Sequence, residues 1–142
     1  NNFNFLVNKM NEFGLDNQIT FFEYLNDNDI KNLYTNCKGV VMPSLVGYSS
    51  LPLYEAFYFE KPIFYTKDLL DVSLQKYVNQ INIKDPENLA NELINFEKNI
   101  KEINLKVNLA KSYFNNNLSQ NQISSKYFEF FNKIKNQTSI YK

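Results

Sequence analysis

Two short apolar runs, "VVMP" at 40–43 and "IFYT" at 63–66, constrain this chain more than any other feature. "VVMP" offers no polar position to turn toward water, so it suits a parallel strand covered on both faces. "IFYT", directly after Pro62, reads as a second strand. Between them a helix is expected to start near Pro52. Strands joined through a helix run in the same direction, and that unit is the seed of a parallel sheet.

The alternation extends along the chain. Residues 3–13 set Phe3, Leu6, Val7, Met10 and Phe13 at helical spacing, with Gly14 as the stop. "QITFFEYL" (18–25), rich in β-branched and aromatic residues, predicts a strand. "NDNDIKNLYTNCKG" predicts a helix capped by Asn26 or Asp27, with Asp29 in its first turn. Ile30, Leu33 and Tyr34 form its apolar stripe, and Gly39 marks its end. Residues 68–78 predict a short helix with loops, and "INI" (81–83) a small strand. In "DPENLANELINFEKN", Asp85 is the expected N-cap, Pro86 the first helical residue, and Glu87 lies near the positive end of the dipole. Two more helices are expected near 101–114 and 119–135. The second carries Ile123, Tyr127, Phe130, Phe131 and Ile134 on one side, a stripe that reads as a docking face. The implied fold is α/β: a Rossmann-like parallel sheet flanked by helices, with 1–142 as a single domain closed by the last helices.

Composition excludes several chemistries. The chain has no His and one cysteine, Cys37, so it holds no Ser-His-Asp triad, Cys-His pair, thiolate zinc site or internal disulfide. Cys37 reads as a packed thiol, and a reducing cytoplasmic setting is expected. The 15 basic residues are all Lys and balance 15 acidic ones, which gives no electrostatic footprint for nucleic acid. No apolar run is long enough to span a membrane. No metal or cofactor is implied. The opening "NNFNFLVNKM" reads as the middle of a longer protein, and the chain is treated as N-terminally truncated.

The segment "MPSLVGYSSLP" (42–52) is where ligand chemistry is expected. In an open α/β sheet, ligands bind beyond the carboxyl ends of the strands. Gly47 lets the backbone approach a ligand, and Ser44, Ser49 and Ser50 offer hydroxyl donors. The helix that follows presents free N–H groups and the positive end of its dipole, which suits a phosphate. A purely structural loop is the alternative. Glu55 lies one turn into that helix among Leu51, Leu53, Ala56, Phe57 and Phe59, so the helix is expected to be apolar nearly all round and buried. A buried carboxylate needs donors. Vicinal ribose hydroxyls near a phosphate site would supply them; a solvated or lysine-paired glutamate is the alternative.

The stretch from "ITFFEYL" to "KPIFYT" resembles the nucleotide-sugar-binding half of GT-B glycosyltransferases of the family-4 type, and the likeness covers about residues 15–130. The matching anchors are Leu33-Tyr34, Pro43-Ser44, Leu51-Pro52, Glu55-Ala56 and Pro62, all in register. The resemblance implies a retaining glycosyltransferase, of hexosyltransferase type, that takes a nucleoside diphosphate sugar as donor. In its E-x7-E motif the second glutamate, which holds the donor ribose, corresponds to Glu55, and the diphosphate and sugar loop corresponds to Tyr48, Ser49, Ser50 and Leu51. Gly47 replaces the first glutamate, and some bacterial members resemble this variant. Glu60 stands where the family usually has glycine. The family's basic diphosphate residues and its acceptor domain, which would bind a glycan or lipid-linked acceptor, are not in these residues, so residues 1–142 alone are expected to transfer no sugar. Synthesis of a cell-surface polysaccharide or other glycan, with peripheral membrane association of the full protein, fits the resemblance. The competing reading is a non-catalytic α/β nucleotide-binding or interaction module derived from such a transferase.

Overall fold

The computed structural model describes residues 2–46 and 51–139. The chain divides into two compact units, residues 1–32 and 33–142. In the first, α1 (Asn2–Glu12) follows the predicted apolar spacing and stops at Gly14, whose φ of 65° closes a left-handed turn. The Leu15 amide donates to the Met10 carbonyl at 3.0 Å and the Gly14 amide to the Asn11 carbonyl at 3.1 Å, the paired bonds of a Schellman stop. Residues 18–25 do not form the strand their composition predicts. Among the described residues no strand pairs with them, and β propensity without a partner leaves only extended chain. Phe21 packs edge-on against Phe3 instead. The boundary between the units falls inside α2 (Asp27–Asn36), whose N-cap is Asn26: its side chain accepts from the Asp29 amide at 3.0 Å.

The second unit is built on β1 (Val40–Met42), β2 (Ile63–Thr66) and β3 (Asn79–Ile81), all parallel in the order β1-β2-β3. Val40 pairs with Ile63 and Phe64 with Asn79 in register. α3 (Leu51–Tyr58) joins β1 to β2, and two 3-10 turns at 67–69 and 75–77 replace the helix expected over 68–78. β3 begins two residues before "INI", because Asn79 rather than Ile81 is the residue opposite Phe64. α4 (Pro86–Ile94) has the expected cap, with the Asp85 side chain accepting from the Asn88 amide. α5 (Ile100–Asn117) and α6 (Gln120–Ser139) complete the chain. The aromatic stripe of α6 (Tyr127, Phe130 and Phe131) is exposed among the described residues.

One face of the sheet, through Ile63 and Tyr65, meets Leu53, Ala56 and Phe57 of α3 and Ala110 of α5 in the main core. On the opposite face Phe64 packs near Phe96, just past α4, so helices flank the sheet on both sides. β1 departs from the prediction of two covered faces. It is an edge strand, and Val41 is 37% exposed beside an open apolar groove lined by Gly39, Phe64, Leu93 and Phe96. Nor does Gly39 end α2, which stops at Asn36; a side chain at 39 would sit 3.3 Å from the Pro62 carbonyl, so this glycine permits the close approach of the chain entering β2.

α3 ends in a second Schellman stop, and here the left-handed residue is Glu60, with φ 56°. The Lys61 amide donates to the Ala56 carbonyl at 2.8 Å and the Glu60 amide to the Phe57 carbonyl at 3.3 Å. Lys111 from α5 steadies this turn: its Nζ donates to the Tyr58 carbonyl at 2.7 Å, pairs with Glu60 Oε1 at 3.1 Å and lies over the Tyr58 ring. Replacing Glu60 with glycine relieves about 1 kcal/mol of left-handed strain. It also gives up a partly exposed ion pair worth a few tenths of that. Glu60→Gly is expected to stabilise the fold by about 0.5 kcal/mol, seen as a higher urea midpoint at unchanged slope; a lower midpoint would show that the Lys111 contact outweighs the strain.

Candidate functional site

The loop after β1 leaves the carboxyl end of the sheet and returns at the start of α3. Its anchor is Thr66, the last residue of β2 and only 4% exposed. The Thr66 hydroxyl lies 3.0 Å from the Ser44 carbonyl and 3.3 Å from the Met42 carbonyl, tying the first turn of the loop to the neighbouring strand. Ser44 is half-buried, and its own hydroxyl donates to the Val46 carbonyl at 2.7 Å. In this arrangement Ser44 shapes the loop and its hydroxyl proton is already engaged. Gly47, Tyr48, Ser49 and Ser50, expected to contact a donor, lie outside the described residues. Leu51 opens α3 with 65% of its surface exposed.

α3 is not buried all round. Leu53, Ala56 and Phe57 are fully buried at helical spacing, while Leu51 and Tyr58 are exposed. Glu55 lies on the side opposite the buried stripe, and Phe59, four residues on, shares that side. Tyr34 of α2 covers both. Its ring stacks on Phe59, with centroids 5.2 Å apart and planes at 8°, and its hydroxyl donates to Glu55 Oε2 at 2.8 Å. The donor required by the half-buried carboxylate is therefore supplied by the protein on one oxygen. Among the described residues, Oε1 takes no hydrogen bond. Burial first, and then the bond to Glu55, hold the Tyr34 phenol well above its ordinary value near 10. Spacing places Tyr34 in the apolar stripe of α2; the signal for its second role is the choice of Tyr over Phe, since a phenol that is partly buried is served by a partner. Thr66 had a similar signal as the polar end of an apolar strand.

The sequence model for glycosyl transferases group 1 matches residues 1–112. The chain belongs to this family. No curated protein and no solved structure matches it. For a group 1 glycosyl transferase, the chemistry is transfer of a sugar from a nucleotide-sugar donor to an acceptor. The α/β architecture of this transferase, with its parallel sheet flanked by helices, is consistent with a Rossmann-like GT-B half. Among its described residues no group of three metal-binding side chains occurs, and no helix is long and apolar enough to cross a membrane.

Two outcomes test this geometry. Thr66→Val keeps the shape but strips the loop carbonyls of their donor, and is expected to cost about 1–2 kcal/mol of stability. Thr66→Ser should restore most of the loss; if Val unfolds at the parental urea concentration, the hydroxyl does not anchor the loop. The second concerns pH. The fold favours the neutral Tyr34 phenol, so its contribution is complete below the ordinary value near 10 and is lost as pH rises above it. Tyr34→Phe should therefore lose less stability than the parent above pH 10, measured as urea midpoints across that range.

Proposed function

We propose that this chain is the donor-binding part of a retaining transferase of the GT-B, family-4 type, in which Glu55 accepts hydrogen bonds from the ribose hydroxyls of a nucleoside diphosphate sugar. The observation that carries this reading is a half-buried carboxylate, one oxygen of which takes no hydrogen bond among the described residues, on the helix that starts beyond the carboxyl end of β1. Buried carboxylates are found where donors satisfy them, and a vicinal diol offers donors spaced for such an oxygen.

The start of α3 then faces the diphosphate, whose charge grows as the sugar leaves; the positive end of the helix dipole stabilises that charge. Gly47, Tyr48, Ser49 and Ser50 line the donor with Leu51, largely through backbone amides, and Ser44 supports them by holding the loop. Gly47 in place of an acid leaves room beside the sugar. Basic residues for the diphosphate and the site for a glycan or lipid-linked acceptor belong to other parts of the enzyme, which works on the cytoplasmic side in synthesis of a surface polysaccharide or related glycan.

Glu55→Gln tests the assignment in the intact protein. Losing a charge-assisted bond should weaken nucleoside diphosphate binding by about 1.5–3 kcal/mol. The melting temperature should stay close to the parental one, because the amide keeps the size of the side chain and an acceptor for Tyr34. Equal affinities for parent and variant in calorimetric titration would remove Glu55 from the donor site.

A further inference from the structure

We infer that Tyr34 is a positioning residue for donor binding: its hydroxyl fixes one oxygen of Glu55 so that the other is presented to the ribose. The inference rests on the assignment of Glu55 to the ribose, and adds the group that orients it. Tyr34 is held from several directions. Its ring lies flat on Phe59. The end of α2 around it is tied down by the Cys37 amide on the Leu33 carbonyl at 2.8 Å and by Lys61 Nζ on the Thr35 carbonyl at 2.9 Å. The Cys37 thiol reaches the Tyr34 carbonyl at 3.4 Å. A hydroxyl on so constrained a ring fixes whatever it bonds.

The chemistry of the partner matters as much as its placement. A phenol has a single O–H donor, so it holds one carboxylate oxygen and leaves the second open. It carries no positive charge, so the carboxylate keeps the full negative charge that makes it a strong acceptor for hydroxyls. A lysine or arginine in the same place would neutralise the group or occupy both oxygens. A glutamate without a partner would have to freeze its rotamers each time the donor bound, and a preset side chain avoids that loss. The stack on Phe59 would be equally good with phenylalanine at 34, so packing does not explain the hydroxyl.

The test is calorimetric titration of the intact protein with whichever of UDP, GDP and ADP the parent binds, and with its 2′,3′-dideoxy counterpart. The parent should prefer the ribose form. Tyr34→Phe is expected to lose about tenfold in affinity for the ribose nucleotide, the scale of one hydrogen bond, and nothing for the dideoxy form. In a Glu55→Gln background, Tyr34→Phe should have no further effect on the ribose form. If Tyr34→Phe keeps the parental preference while Glu55→Gln loses it, Tyr34 only packs, and the ribose assignment survives without it. Equal weakening of both nucleotides by Tyr34→Phe would indicate general loosening and would also overturn the inference. If Glu55→Gln itself keeps the ribose preference, the assignment of Glu55 fails and the role of Tyr34 fails with it.

Discussion

The packing of α3 against the sheet is the contact on which the rest of the second unit depends. Leu53, Ala56 and Phe57 lose essentially all their exposure against Ile63, Tyr65 and Ala110. Burying the two larger of these α3 side chains contributes about 1.5–3 kcal/mol each. That seam fixes the rotation of α3 about its axis, because residues spaced three and four apart cannot reach the core in any other orientation. Once the seam is set, Glu55 and Phe59 must face away from the core and toward Tyr34. The pairing of Tyr34 with Glu55 is thus a consequence of which side of a short helix is apolar.

The same helix is held at both ends by groups from elsewhere in the unit. Thr66 pins the loop that leads into it, and Lys111 clamps the turn that leaves it. The clamp offsets a local penalty. A glutamate in the left-handed region is less stable than glycine by about 1 kcal/mol, and a lysine bonded to the last helical carbonyl, to the carboxylate and to the Tyr58 ring opposes that loss. α1 solves the same problem with Gly14 and needs no partner from another element.

The Tyr34–Glu55 bond ties one oxygen of a half-buried carboxylate into the fold. Its Oε2 is committed to a partly buried phenol, which lowers the desolvation cost of having the group half-buried. Its Oε1 takes no hydrogen bond among the described residues.

Much of the fold was legible from residue order alone. Parallel strands at "VVM" and "IFYT", the Asp85-Pro86 helix start and the Gly14 stop all follow from local rules of side-chain burial and capping, which act within a few residues. The sequence also marked Glu55, because a carboxylate among apolar residues is conspicuous wherever the chain goes. Tertiary structure decided what local rules cannot reach. Residues 18–25 have strand composition but no paired strand, since a strand exists only with a partner. Val41 is partly open because it lines a groove with Phe64, Leu93 and Phe96, and what covers a sheet face is settled by the packing of distant segments. The pairing of Tyr34 with Glu55 joins residues on separate helices. No periodicity within either helix contains it, and only the rotation of α3 imposed by its buried seam brings the phenol to the carboxylate.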